Sequence, residues 1–174
     1  MTTKLVISAL GADRAGIVDQ LSDIIYTHDL NIEDSRMTVL GGEFAILLLV
    51  SGEFSAIESL QAKSAEIEQA LQMQLLIKQT AESAPAGNNI PYSVEVAAID
   101  HPGIVSKISR FFSSRNINIV NLQTERYAAP HTGSPMFALH MTIGASADTN
   151  IAQLRDAFTE ACDELNLDAE LKRL

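Results

Sequence analysis

Apolar and polar positions alternate near the start of the chain, and the same alternation returns near its middle. Leu5, Ile7 and Ala9 share one side of the first segment, and residues 92–96 repeat the pattern. A period of two is the period of a β-strand, whose side chains point alternately to its two faces. We therefore predict a strand at each place.

The segment after each strand has the spacing of one face of a helix. Apolar residues occur at positions i, i+1, i+4, i+7 and i+8 from Ile17, and again from Ile104. This spacing predicts two amphipathic helices. Asp13 and Asp100 are predicted N-caps, and Pro102 suits a first helical turn, where its missing N–H costs nothing.

A two-residue turn then divides the next apolar stretch. Gly41-Gly42 separates residues 32–40 from residues 43–51, which is typical of a β-hairpin. The corresponding strands of the second half are residues 119–127 and 136–143, and an inserted loop at Ala128 to Pro135 separates them.

Each half ends with a second helix and a short strand. Ser55-x-x-Glu58 has the pattern of a capping box, and Asn150-x-x-Gln153 is a looser version of it. Apolar residues at helical spacing follow both motifs. The closing strands are predicted at residues 73–77 and 167–171.

The two halves are copies of one unit. A shift of 87 residues places Asp13-Arg14-Ala15-Gly16-Ile17-Val18 on Asp100-His101-Pro102-Gly103-Ile104-Val105. Over residues 13–32, seven of 20 positions are identical without a gap, where about one is expected from composition. The same shift places Asn31 on Asn118.

This order predicts an α+β fold with two ferredoxin-like βαββαβ domains. Each has a four-stranded antiparallel sheet with two helices on one face, and right-handed crossovers place its first and third strands at the centre. The small, polar stretch around Pro85-Ala86-Gly87 lacks periodicity and is predicted to be a linker. The predicted divisions are a first domain at 1–79, a linker at 80–90 and a second domain at 91–174.

Charge and cysteine content narrow the function classes. The 174 residues carry a formal net charge of −10, which opposes direct binding to nucleic acid or to anionic membranes. The single cysteine excludes an internal disulfide and fits a reducing compartment. With no targeting segment and no long apolar run, we expect a cytoplasmic protein.

The loop between first strand and first helix holds the candidate chemistry in both halves. Free backbone N–H groups at a helix start attract an anion, and Gly16 or Gly103 lets a ligand approach closely. Asn31 and Asn118 begin the second strands, which another unit's loop could approach when sheets pair side by side. The loop could then bind a carboxylate and the Asn oxygen an ammonium, the two groups of a free amino acid. These residues also suit turns and helix ends without any ligand.

The two loops resemble those of the ACT domain family, small ligand-sensing modules whose first loop often reads D-R-P-G-[IL]-[LV]. The Asn-Ile pairs at 31–32 and 118–119 resemble the family too, and both units match along nearly their whole length. The resemblance implies a βαββαβ fold and amino-acid binding at ACT–ACT interfaces. Ala15 stands where the family prefers Pro and His101 where it prefers Arg, so the two sites need not bind alike.

A tandem ACT chain with nothing else attached is similar to bacterial repressors of glycine cleavage. This resemblance implies a non-enzymatic regulator without cofactor, which senses a small amino acid, glycine favoured, and acts through a DNA-bound activator of LysR type. It also allows a homo-oligomer through ACT interfaces. The implied ligand-binding residues are Asp13, Arg14, Ala15, Gly16, Ile17, Asn31, Asp100, His101, Pro102, Gly103, Ile104 and Asn118.

Other function classes remain open to different degrees. The same site could serve an amino-acid-binding regulatory subunit of a metabolic enzyme. The fold also carries acylphosphatases, whose loop arginine and second-strand asparagine resemble Arg14 and Asn31 in position. RNA binding is rejected because the third strand lacks stacking aromatics and basic residues. We expect no metal site, and expect Cys162 and His140 to be buried core residues.

Overall fold

The computed structural model describes residues 2–81 and 89–174, and their contacts separate into two compact units, Met1–Ser83 and Ala84–Leu174. The strands are β1 (Thr2–Ala12), β2 (Asn31–Leu40), β3 (Glu43–Glu53), β4 (Gln74–Thr80), β5 (Asn89–Ile99), β6 (Asn118–Ala128), β7 (Pro135–Ser146) and β8 (Asp168–Arg173). The helices are α1 (Ile17–Thr27), α2 (Phe54–Ala62), α3 (Ser64–Leu71), α4 (Ile104–Ser113) and α5 (Ile151–Asp163).

Each unit contains one antiparallel four-stranded sheet. The strand order is β2-β3-β1-β4 in unit 1 and β6-β7-β5-β8 in unit 2, which confirms the prediction that the first and third strands are central. The edge strands β2 and β6 share an irregularity in register, between Ile32 and Asp34 and between Ile119 and Asn121. The duplicated sequence therefore produces the same β-bulge twice.

Helices cover one face of each sheet and form the core there. In unit 1 the face of β1 that carries Leu5, Ile7 and Ala9 packs against Ile17, Leu21 and Ile25 of α1, all of them buried. Unit 2 builds its core in the same way from β5, β7, α4 and α5. The alternation and the helical spacing in the sequence identify these buried faces correctly.

The second helix of unit 1 differs from its prediction in two respects. It begins at Phe54, with Glu53 in an extended conformation at the N-cap and no capping side chain, so the capping box at Ser55 and Glu58 is wrong. The reason is that β3 pairs with β1 as far as Glu53 and leads directly into the helix. The predicted helix is also divided at Lys63 into α2 and α3. The next residue, Ser64, is polar at a position where a single helix would need an apolar residue to continue its buried face.

The other boundaries follow the sequence more closely. Asn150 caps α5, and its side-chain oxygen accepts a hydrogen bond from the Gln153 N–H at 3.2 Å. The strands β4 and β5 reach Thr80 and Asn89, at the two ends of the predicted linker. Residues 82–88 of that linker lie outside the described residues.

The two residues expected in the core have different environments. Cys162 is 3% exposed in the core of unit 2, and desolvation raises the pKa of its thiol to about 11. His140 is exposed, so its assignment to the core is wrong. The buried residues Leu139 and Met141 lie on one face of β7, and His140 lies on the other. In the described part of unit 2, no helix covers the face that carries His140.

The five helices are all too short or too polar to span a bilayer in the part of the chain that the structure describes.

Candidate functional site

Both units turn from first strand to first helix at a glycine with a positive φ. Gly16 has φ 88° and Gly103 has φ 96°, and each takes the N-cap position of its helix. The prediction that Asp13 and Asp100 are N-caps is therefore wrong, and Pro102 precedes the helix instead of starting it. A left-handed conformation is costly for residues with a Cβ, so the glycine decides where the helix begins.

The two aspartates extend the sheet pairing instead. The Asp13 N–H donates to the Gly42 carbonyl at 3.0 Å, and the Asp100 N–H donates to the Pro135 carbonyl at 2.9 Å. The Asp100 carboxylate also forms an ion pair with Arg126, with 2.7 Å between Oδ2 and Nε. These contacts fasten each loop to the hairpin at the same end of the sheet.

The start of each helix offers unpaired backbone donors. The first intrahelical bonds run from Gln20 to Gly16 and from Lys107 to Gly103, and no side chain caps either helix. The first-turn N–H groups therefore lack partners within the helix, as at any helix N-terminus. A Cβ placed on either glycine would meet nothing within 4 Å. The space beside the first-turn N–H groups is therefore open.

The electrostatic surroundings of the two loops differ. The first turn of α1 contains Asp19, whereas α4 has Ser106 at the equivalent position and no acidic residue in its first turn. A carboxylate next to the amides opposes binding of an anion. The loop of unit 2 is therefore the better site for a ligand carboxylate.

Arg14 has a clear structural partner. Its Nη2 donates to Gln20 Oε1 at 2.7 Å and to the Leu71 carbonyl at 3.2 Å. Leu71 is the last residue of α3, where a cation is favoured by the helix dipole. In unit 2, His101 places Nδ1 3.1 Å from the Pro102 carbonyl, within its own loop. Arg14 thus joins the loop to α3, and His101 has no such role.

The candidate asparagines lie at the far end of each sheet. Asn31 is exposed and pairs with Ser51 of β3, whereas the loop follows Ala12, which pairs with Glu43. From Glu43 to Ser51 the strand extends eight residues, or about 26 Å. Unit 2 repeats this separation between Asn118 and its loop.

This separation decides what one unit can do alone. Arg14 and Asn31 cannot act on one small substrate within unit 1, which removes the arrangement that an acylphosphatase would need. A loop and an asparagine can share a ligand only if they come from different units. The structure therefore brings the predicted loop residues of one unit together and leaves the asparagine of that unit at the opposite end of the sheet.

An open pocket of about 450 Å³ adjoins Asn31, and sequence analysis did not predict it. Its lining includes Asp29 and Glu53, beside the exposed ring of Tyr26. The lining thus combines two carboxylates with the Asn31 amide, so that cations are favoured over anions here. The turn at Asp29, which has φ 55°, carried no signal in the sequence that distinguished it from an ordinary helix end.

One more ion pair lies next to this end of the sheet. Lys4 Nζ is 2.9 Å from Oε2 of Glu33, the residue at the β-bulge. Hydrogen bonds from Lys4 and then Ser51 lower the pKa of Glu33. The bulge thus turns a charged side chain toward β1.

Comparisons with known proteins agree with the duplicated architecture. A family model described as the ACT domain matches residues 3–78. The chain is 33% identical over 168 residues to the glycine cleavage system transcriptional repressor of Escherichia coli K12, covering 93% of this chain and 85% of that protein.

Two solved structures cover the whole chain. A protein of unknown function from Galdieria sulphuraria has a TM-score of 0.84 with 27% identity, and the match covers 100% of this chain and 99% of that one. A structure described provisionally as a glycine cleavage system transcriptional repressor has a TM-score of 0.73 with 26% identity, covering 100% and 98%.

Proposed function

Because the chain belongs to the family of tandem ACT-domain proteins that includes the glycine cleavage system transcriptional repressor, we propose that it is a non-enzymatic, amino-acid-sensing regulator. It represses transcription of glycine cleavage by acting on a protein partner. The observation that supports this most is the uncapped helix start at Gly16 and Gly103, repeated in both units.

The ligand site forms where an edge strand of one unit pairs with an edge strand of a unit in a second copy of the chain. β2 and β6 are edges of their sheets, so each has backbone groups free to pair with another strand. Antiparallel pairing of two such edges puts the start of one strand beside the end of the other. Asn31 or Asn118 of one unit then lies at the same end of the joined sheet as the loop of the other unit, which removes the separation of about 26 Å along the strands.

Each group of the ligand has its own partner in this site. The carboxylate accepts hydrogen bonds from the loop amides between Gly16 and Val18, or between Gly103 and Val105. The ammonium donates to the asparagine oxygen of the other unit. The remaining loop residues, Asp13, Arg14, Ala15 and Ile17 with Asp100, His101, Pro102 and Ile104, shape the loop and limit the ligand's size. Glycine is favoured because the relative from Escherichia coli K12 is a repressor of the glycine cleavage system.

Binding changes the protein's affinity for its partner by linkage. A ligand that prefers one arrangement of the interface shifts the protein toward it by no more than its differential affinity. Because the chain carries a net charge of −10, it does not occupy an operator itself. The partner is a DNA-bound activator of LysR type.

The proposal predicts a specific pattern in a mobility-shift experiment on a glycine cleavage promoter fragment. The chain alone leaves the DNA unshifted at 150 mM salt, where the Debye length is about 8 Å. Added to the activator–DNA complex, it changes the mobility of that complex, and glycine alters the concentration at which it does so.

Two outcomes of this experiment contradict the proposal. A shift by the chain alone would contradict an indirect mechanism. No effect on the activator complex, with or without glycine, would favour the alternative of a regulatory subunit for a metabolic enzyme, which uses the same ligand site but a different partner.

A further inference from the structure

The sheet of unit 1 has an apolar face that its helices do not cover. Because Leu5, Ile7 and Ala9 face the core, the alternate residues of β1 face the other way. Three leucines of this helix-free face are exposed: Leu10 at 46%, Leu47 at 48% and Leu76 at 69%. Exposed leucines that lie together on one sheet face indicate an interaction surface.

The strand register places the side chains of this face in four rows that run from β2 through β3 and β1 to β4. Three of them, rows A to C, form the middle of the face, and the fourth, next to row A, is Asn31, Ser51, Lys4 and Thr80. Row A is Asp34, Leu49, Val6 and Lys78. Row B is Arg36, Leu47, Ser8 and Leu76. Row C is Thr38, Ala45, Leu10 and Gln74. Within rows A to C the two central strands carry apolar residues except for Ser8, and the charged residues lie on the edge strands. Lys4 adds one charge on β1 in the row next to row A, where it pairs with Glu33.

Unit 2 has polar residues at ten of the same twelve positions and alanine at the other two. Its row A is Asn121, Thr142, Ser93 and Lys172, its row B is Gln123, His140, Glu95 and Glu170, and its row C is Glu125, Ala138, Ala97 and Asp168. At these positions unit 2 has four carboxylates and one ammonium, where unit 1 has its exposed leucines together with one carboxylate and two cations. Since the backbone is duplicated, the apolar face of unit 1 is not a requirement of the fold.

Rows A and C of unit 1 are complementary to themselves. A two-fold axis parallel to the strands, between β3 and β1, lays each row on the same row of a second copy in reverse order. In row A, Asp34 then faces Lys78 of the second copy, twice in the dimer, and Leu49 faces Val6. In row C, Leu10 faces the small residue Ala45, and Thr38 faces Gln74. In row B, Leu47 faces the small residue Ser8, and Arg36 lies over Leu76.

We propose that the helix-free sheet face of unit 1 binds the same face of a second copy of this chain. Two sheets packed in this way lie about 10 Å apart with strands about 30° from parallel. At that angle the central leucines interdigitate and the long Lys78 side chain still reaches Asp34. Asp34 also pairs with Arg36 on its own strand, and a carboxylate has acceptor sites for both cations.

A second copy fits this face better than other occupants do. A C2 contact needs one surface that is complementary to itself, and reversal of row A supplies both ion pairs from one sequence. The equivalent surface of unit 2 fails this requirement, because reversal of its row C sets Glu125 against Asp168. The face is also separate from the backbone edges of β2 and β6, so dimerisation here leaves the proposed ligand site available.

Sedimentation velocity of the full chain tests this inference. The wild-type protein is expected to sediment as a dimer or another oligomer with an even number of chains. Leu47→Lys is expected to halve the mass of that oligomer, because the substitution buries an ammonium group at the centre of the contact. The matched control is His140→Lys, which changes the equivalent position of unit 2 and leaves the mass unchanged. Circular dichroism checks that both variants are folded, as expected for exposed positions.

A charge reversal separates this interface from any other apolar contact. Lys78→Glu sets a carboxylate against Asp34 of the second copy and should raise the dissociation constant of the dimer by about tenfold or more. The double variant Lys78→Glu/Asp34→Lys exchanges the two charges and should restore the dimer. A monomeric wild-type chain, an unchanged mass in Leu47→Lys, or no rescue in the double variant would each overturn the inference. None of these outcomes depends on amino-acid binding, so the proposed function is tested separately.

Discussion

Replacing both Asn31 and Asn118 with alanine should abolish amino-acid binding while the chain remains folded. In the proposed site, each asparagine oxygen is the acceptor for the ligand ammonium, and a hydrogen bond to a charged group contributes about 1.5–3 kcal/mol. Its loss weakens each site by about tenfold to a hundredfold, beyond detection for a ligand as small as glycine. Both side chains are exposed, so the fold does not depend on them. Isothermal titration calorimetry with glycine measures the effect.

Asn121→Ala is the matched control for this prediction. Asn121 lies three residues after Asn118 on the same edge strand, beyond the β-bulge, and pairs with Thr142 where Asn118 pairs with Gly144. It is therefore one row away from the end of the sheet at which the ligand site is proposed. Its replacement should leave the affinity unchanged. An unchanged affinity in the Asn31→Ala/Asn118→Ala variant would end the assignment of these residues to the ammonium.

Phe112→Ala should lower the free energy of unfolding of unit 2 by about 3–5 kcal/mol. The ring is 0% exposed, and its centroid lies 5.2 Å from that of Phe111 and 5.1 Å from that of Phe158. Its removal leaves a cavity and breaks two aromatic contacts. Since a domain of this size has a free energy of unfolding of about 5–12 kcal/mol, urea denaturation should show unit 2 close to unfolding.

The same substitution at an exposed aromatic residue gives the comparison. Phe54 begins α2 and is 50% exposed, so Phe54→Ala should cost less than about 1 kcal/mol. A loss below about 1 kcal/mol for Phe112→Ala would contradict the view that the three phenylalanines form the centre of the core of unit 2.

The periodicity of the sequence predicts most of the fold because burial follows it directly. Leu5, Ile7 and Ala9 alternate in the sequence and are buried on one face, and the spacing from Ile17 places Leu21 and Ile25 in the same core. The repeat at a shift of 87 residues predicts that one topology occurs twice. The periodicity and the repeat each depend on many side chains, so the prediction of the fold does not depend on any single residue.

The helix starts could not be predicted as well, because they depend on one or two residues. Asp13 and Asp100 have the composition of N-caps, yet the positive φ of the following glycines moves the start of each helix. Ser55 has the pattern of a capping box, but long-range pairing of β3 with β1 determines that α2 begins at Phe54. Local patterns carry no information about such pairing.

The candidate site was predictable in its chemistry but not in its geometry. The sequence shows two loops and two asparagines, and only the strand register shows that Asn31 and its own loop lie at opposite ends of the sheet. The contrast between the two helix-free faces also needs the register. Leu47 and His140 occupy one position of the duplicated unit, and nothing in the pattern of either strand alone relates them.

A thermal-shift screen of the full chain against the twenty amino acids tests the central claim most directly. A ligand that binds only the folded state stabilises it, by about 2.7 kcal/mol at a hundred times its Kd. The account predicts that a small amino acid, glycine favoured, raises the melting temperature, and that the Asn31→Ala/Asn118→Ala variant loses this response. If no amino acid raises the melting temperature of the wild-type chain at millimolar concentration, the chain is not an amino-acid sensor.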